Sequence, residues 1–280
     1  MEKRNKIIIE ISLPFIFSLT GILMLYYFFT EQIIITFQTY KEIYALTIAI
    51  LIKILVVSLI GLYLIKKWFS QEEQYFSDLP FLTGIFFLVL VPAKFLDLLY
   101  YYLNFQIPAD FLLLLIKMRF ILAILNLLPM LYLSIEMILI YLSLNERFKS
   151  IRNKNKFKKI QKLCLILILI IESIVLLIAP SYNVIIAIYP FISVISFLII
   201  IWMFIFAHRS NRLSEINPIT VAWGFIIFLI TSIFRALGTN LLDPVLNSII
   251  TEIFEIGAFI VIFYGLIKRA KYYKTNNRMG

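Results

Sequence analysis

The sequence predicts an all-α membrane protein, a bundle of eight transmembrane helices with both termini in the cytoplasm. Three observations lead there. Of the 280 residues, 62% are hydrophobic and only 15% are charged, against about half apolar and a quarter charged in soluble domains. The apolar residues fall in runs of about 20 or more, the length needed to cross a bilayer. The basic residues collect in every second connection, as topology signals do. This composition excludes a soluble globule, a disordered chain and a disulfide scaffold. One Cys forbids an intramolecular disulfide, and one His argues against a multi-histidine metal or haem site.

Eight spans are predicted, at about 7–29, 43–65, 79–103, 110–143, 159–179, 183–207, 218–237 and 248–267. The first follows a basic start, yet it carries Glu10 and no small-residue cleavage site, so it reads as a retained helix rather than a signal peptide. The fourth is long, about 51 Å as a straight helix. It is one helix kinked at Pro129 or two short ones, and charge decides. With one long helix, twenty of the twenty-six basic residues fall on one side and Lys41 alone on the other. The remaining five lie inside spans. Splitting the fourth span destroys that separation. The side holding Lys3, Lys66, the 145–162 segment, Arg209 and Lys268 is therefore the cytoplasmic one, and the chain is a multi-pass protein of the plasma membrane.

Aromatic residues agree with these ends. Tyr26, Tyr27 and Tyr100 to Tyr102 mark the outer side, and Trp68, Trp202, Trp223, Tyr272 and Tyr273 the inner side; such belts sit at headgroup level. The 280 residues read as a single transmembrane domain. A parallel duplication of 1–144 and 159–270 is suggested by Gly84 leading to Lys94 in the third span and Gly224 leading to Arg235 in the seventh, with offsets that differ by one residue.

The excess charge of +10 reflects cytoplasmic loops rather than nucleic-acid binding. Residues 145–162 carry eight cations and one carboxylate, Glu146. The plain reading is a topology signal in contact with anionic lipid, worth about 1 kcal/mol per cation near the surface. The alternative is docking of an acidic cytoplasmic signalling partner, with the fourth span extending as a helix beyond the bilayer to present the segment.

The chemistry lies in the charges within spans. An ionisable group at bilayer depth costs about 2.5–3.5 kcal/mol on insertion scales and therefore faces a partner or a cavity. Lys94 and Asp97 lie one turn apart on the third span, Asp110, Lys117 and Arg119 open the fourth, Arg235 lies on the seventh, and Glu252 and Glu255 lie one turn apart on the eighth. Asp243 sits in the outer loop before them. Asn126 follows Arg119 by seven residues on one face and extends a polar track inward. Buried ion pairs that fix helix register are the structural reading. The functional reading is an outward-facing cavity for a charged or zwitterionic ligand, bound by Lys94, Asp97, Lys117, Arg119, Asn126, Arg235, Glu252 and Glu255. Lys53 and Glu172 fall near mid-span and are placed to pair; a proton or ion path through them is the less economical reading.

Enzyme signatures are missing. Lys268 stands at the cytoplasmic end of the last span, not midway as retinal attachment requires, and Cys164 lies at the inner end of its span, wrong for an outer-face thiol enzyme. Phe204-x-x-x-His208 matches one motif of membrane-embedded proteases whose paired glutamates with a following arginine are absent, and no aspartate-rich prenyltransferase motif occurs. No catalytic residue, metal or cofactor is predicted. Only eight glycines lower the expectation of the paired broken helices that transporters use.

The phrase Lys94-Phe-Leu-Asp97-Leu-Leu-Tyr100-Tyr101-Tyr102, with Lys117-Met-Arg119, Asn126-Leu-Leu-Pro129 and Gly224…Phe234-Arg235-Ala-Leu-Gly238, resembles the seven- and eight-helix membrane sensor modules of archaeal and bacterial signalling proteins. It covers about 50 residues. Those modules precede a cytoplasmic output domain; this chain ends at Gly280, so the resemblance implies a stand-alone receptor-like subunit that signals through a partner. A transporter or channel for a small charged solute using the same cavity is the second expectation, and a membrane enzyme acting on lipid headgroups the third.

Overall fold

The computed structural model describes residues 2–104, 106–238 and 241–269. It is all-helical, with no strand among these residues. Tyr272 and Tyr273, two of the aromatics expected at the inner interface, lie outside the described residues, as do Lys271, Lys274 and Arg278. Helix α1 covers Glu2–Phe28, α2 Thr30–Thr39, α3 Glu42–Phe69, α4 Leu79–Leu103 and α5 Ala109–Ser143. After a 3-10 turn at Glu146–Arg152 come α6 Lys154–Ile178, α7 Tyr182–Arg209, α8 Pro218–Gly238 and α9 Pro244–Ile267. Seven of these helices are long and apolar enough to cross a membrane, and α1 with α2 makes an eighth if the bent pair is one span. The chain is built as a multi-pass membrane protein.

The sequence reading ended its first span at residue 29. The chain instead turns by 66° there and runs on as α2. Glu31, Gln32 and Gln38 interrupt the apolar pattern, which hid this helix. Tertiary contacts hold it: Thr36 Oγ1 donates to the Tyr102 carbonyl at 2.7 Å, and the Phe37 ring packs on Tyr102 with centroids 5.0 Å apart.

The fourth span is one continuous helix, α5, with Pro129 inside it. It does not extend outward to present the basic segment. It stops at Ser143, and Lys154 to Lys162 lie on the first turns of α6, capped by Asn153, whose side chain accepts from the Asn155 amide at 3.0 Å.

Six helices form a closed ring in the order α3, α4, α5, α7, α8, α9, with α9 packing back on α3; α1 and α2 lie against α4, and α6 lies outside α5. Contacts fix the directions. Asn217 with Gly265, and Asn247 with the Arg235 carbonyl, make α8 and α9 antiparallel. Tyr102 with Thr47, and Trp68 with Phe81, do the same for α4 and α3. All connections rich in Lys and Arg therefore lie at one end of the bundle, the basic end. The α4–α5 and α8–α9 connections lie at the other.

Apolar burial drives little in lipid, so close backbone approach and polar links carry the packing. Glycine permits the approach at two helix pairs. A Cβ on Gly265 would stand 2.8 Å from the Val221 amide nitrogen, and one on Gly84 would stand 3.3 Å from the Ile65 amide nitrogen. At the first pair the Asn217 amide donates to the Gly265 carbonyl at 2.8 Å.

Two parts of the aromatic belt are corrected. Trp68 is fully buried, with its indole N–H donating to the Tyr75 carbonyl and the Asp78 carboxylate, each at 3.1 Å. Tyr102 is buried against α1, α2 and α3, and Tyr100 is buried on the cavity side of α4, rather than turned to lipid. The tyrosines face the bundle because α4 is its most enclosed span, and Trp68 of α3 packs on Phe81 at the start of α4. Tyr27, Trp202 and Trp223 are exposed.

Candidate functional site

The ring closes around an ion-pair network. From α4, Lys94 Nζ reaches Asp97 Oδ2 one turn on at 2.8 Å and Glu252 Oε1 of α9 at 2.8 Å. From α5, Arg119 Nε meets Asp97 Oδ1 at 2.5 Å, and its Nη2 reaches Oδ2 at 3.2 Å. From α8, Arg235 Nη2 bridges Glu252 Oε1 at 2.7 Å and Glu255 Oε1 at 2.8 Å. From α3, Lys53 Nζ donates to Glu252 Oε2 at 2.8 Å and also to Glu255. Five helices, α3, α4, α5, α8 and α9, are thus tied together through the carboxylates of α9 and α4. Every carboxylate in the network serves at least two cations.

The α9 geometry follows from its local sequence. Asp243 caps the helix, accepting from the amides of Val245 and Leu246, and Pro244 occupies the first turn, where its missing N–H costs nothing. Glu252 and Glu255, three residues apart, then share one face. Lys94 and Asp97 repeat that spacing on α4.

Six of the eight residues predicted as ligand-binding lie in this network: Lys94, Asp97, Arg119, Arg235, Glu252 and Glu255. A seventh, Asn126, is buried beside it and donates to the Phe86 carbonyl. It also lines the inner part of the cavity described below. Lys117 does not join. Its ammonium donates to the Leu177 carbonyl of α6 at 2.7 Å, because two residues before Arg119 is the far side of the helix. Asp110 is exposed at the start of α5, and Asp243 serves as a cap.

The sequence reading missed Lys53 here and paired it with Glu172. That pairing is overturned. Lys53 belongs to the network, and Glu172 accepts a hydrogen bond from Ser196 of α7 at 2.7 Å. Glu172 sits on α6, outside the ring, whereas Lys53 points into it. Equal depth carried no information about which helices adjoin.

A cavity of about 690 Å³ adjoins the network. It is lined by all six ring helices and extends from Asn104 and Pro244, at the ends of α4 and α9, to Leu90 and Asn126 near mid-bundle. Arg119 and Arg235 keep 15% and 16% of their side chains accessible, while the other network members keep 7% or less. Lys94, Asp97, Arg119, Arg235 and Glu255 line the cavity, and the two guanidiniums are the most accessible of these charged groups. Its mouth carries a Tyr101–Ser248 hydroxyl contact of 2.7 Å. Beneath it, toward the basic end, Phe86, Phe87, Phe225 and Phe259 are fully buried and stack edge to face, with Phe86–Phe225 centroids at 5.7 Å and Phe87–Phe259 at 5.5 Å. These rings form an apolar floor.

Among the described residues no group of His, Cys, Asp and Glu side chains is arranged to hold a metal ion. The carboxylates that come together are already neutralised by ammonium and guanidinium groups. No family model, characterised protein or solved structure matches the chain.

Proposed function

We propose that the chain is a receptor-like binding subunit of the plasma membrane that takes a charged ligand from outside the cell. The basic end faces the cytoplasm, as twenty of the twenty-six Lys and Arg residues require. Both termini then lie inside and the cavity opens outward. The observation that carries the reading is the pair of accessible guanidiniums, Arg119 and Arg235, at the wall of this cavity.

Arg119 and Arg235 are held by Asp97, Glu252 and Glu255 yet keep part of each guanidinium accessible, so an anion in the cavity can reach them without first breaking the network. A ligand contacting Arg119 and Arg235 competes with Asp97, Glu252 and Glu255 for them. These partners lie on different helices, so the exchange changes how α5 and α8 are held against α4 and α9. It transmits only if the ligand binds two arrangements with different affinity. The 145–162 segment, which joins α5 to α6 at the cytoplasmic end, is the natural output, contacting anionic lipid or an acidic signalling partner. The resemblance to sensor modules points the same way.

The aromatic floor favours binding over passage. A transporter would have to open it. The deciding experiment pairs a thermal-stability screen of anions, amino acids and lipid headgroups with flux into proteoliposomes. Stabilisation of wild type, lost in folded Arg119→Gln and without flux, supports a receptor. Stabilisation with flux makes the chain a transporter.

A further inference from the structure

We infer that the cavity selects a monoanion with an apolar body, of the carboxylate class, by charge balance. The inference rests on the binding reading above and names the ligand class for the same cavity.

The argument begins with a count. Among the described residues the network joins four cations, Lys53, Lys94, Arg119 and Arg235, to three carboxylates, Asp97, Glu252 and Glu255. One positive charge is in excess, held inside a membrane bundle where unbalanced charge is costly. One bound negative charge brings the set to neutrality. Two overshoot it by as much as none falls short.

A ligand ammonium has no place. Glu252 already meets Lys53, Lys94 and Arg235; Glu255 meets Lys53 and Arg235, with Lys94 at 3.8 Å; Asp97 meets Lys94 and Arg119. An amine would have to displace one of these cations, and a zwitterion would leave the excess charge standing. A carboxylate suits the donors available. Arg235 reaches its carboxylates through Nη2 alone, and Arg119 through Nε and Nη2. Arg235 has both Nη2 hydrogens committed and keeps Nε and Nη1 as single donors, whereas the Nη1–Nη2 edge of Arg119 keeps the planar donor geometry that a carboxylate accepts in two parallel bonds.

The remaining wall specifies the body. Leu90, Ile116, Phe120, Leu127, Phe197 and Phe228 line the cavity around and below the charged groups. An aliphatic chain or aromatic ring placed there is removed from water at about 25 cal/mol per Å² of apolar surface.

The test is equilibrium binding to wild-type protein in lipid nanodiscs, with a matched series: octanoate, octylamine, 2-aminooctanoate, suberate and acetate. Octanoate is expected to bind at least about tenfold more tightly than each of the others. Two charge variants then make the rule independent of shape. Glu255→Gln and Asp97→Asn each raise the excess to two, and each is expected to move the preference from octanoate toward suberate. Either variant suffices if the other fails to fold. Arg235→Gln balances the network and is expected to abolish octanoate binding. Preference of wild type for the zwitterion, the amine or the dicarboxylate overturns the inference while leaving a binding site. So does an unchanged preference in both charge variants. Binding of none of the series, alongside stabilisation by some other ion in the broader screen, also overturns the inference alone. Failure of every ligand in both experiments overturns the binding reading itself.

Discussion

Lys53 of α3 and Glu252 of α9, separated by 199 residues in the chain, meet at 2.8 Å with both side chains fully buried. The contact closes the six-helix ring, since α3 and α9 are the two helices that must find each other last along the sequence. Tyr63 and Phe263 repeat the meeting further down, with ring centroids 5.4 Å apart.

Removing the lysine therefore tests the ring. Lys53→Met balances the net charge of the network but strips Glu252 and Glu255 of their buried partner on α3, leaving them Lys94 and Arg235 alone. Loss of one partner from a buried pair typically costs about 3–5 kcal/mol. The expected outcome is a markedly lower melting temperature in detergent, with substantial recovery in the double variant Lys53→Met/Glu252→Gln. Equal melting of the double and single variants would mean that the pair is not coupled.

Arg119 makes a contrasting prediction. Its partner Asp97 retains Lys94 at 2.8 Å, and the guanidinium is already partly accessible. Arg119→Gln is expected to lower stability less than Lys53→Met, by about 1–3 kcal/mol for the lost charged hydrogen bonds, while removing ligand-induced stabilisation altogether. Calorimetry of both variants in one detergent compares them directly.

The glycines separate packing from propensity. Gly265→Ala places a methyl group 2.8 Å from the Val221 backbone nitrogen, and backbone cannot rotate aside. Overpacking of this kind costs about 1–3 kcal/mol. At Gly257 nothing stands within 4 Å of the added carbon, so Gly257→Ala is expected to be neutral or slightly stabilising, as alanine is the better helix former. Opposite signs in thermal melts are the signature.

Orientation is checked by labelling. In a cysteine-free background made by Cys164→Ala, Lys158→Cys on α6 is expected to resist a membrane-impermeant maleimide in intact cells and to react after permeabilisation. Lys41→Cys, before α3, is expected to react in intact cells. The reverse pattern would place the cavity on the cytoplasmic side.

The spans were legible in the sequence because bilayer thickness fixes the length of an apolar run. The reading of 110–143 as one helix, argued from Lys and Arg positions alone, matches α5 within a residue at each end. The charged residues were legible as a group for the same reason: each is anomalous in an apolar run. Their partners were not. Depth along a helix is a one-dimensional quantity, whereas pairing depends on which helices adjoin and which way each face turns. Lys53 and Glu172 share a depth but not a neighbourhood. Lys117 and Arg119 share a helix but, two residues apart, look in different directions. Helix α2 escaped notice because its burial comes from Thr36 and Phe37 docking on Tyr102, a tertiary contact with no periodic signal.

The central claim is that Arg119 and Arg235 form a ligand site rather than a structural clasp. It is tested most directly by the melting temperature of wild type and of folded Arg119→Gln and Arg235→Gln against anions, amino acids and lipid headgroups. The account predicts an anion that raises the wild-type melting temperature and leaves both variants unmoved. Variants that merely melt earlier, with no compound shifting wild type, would contradict it and make the network a structural one.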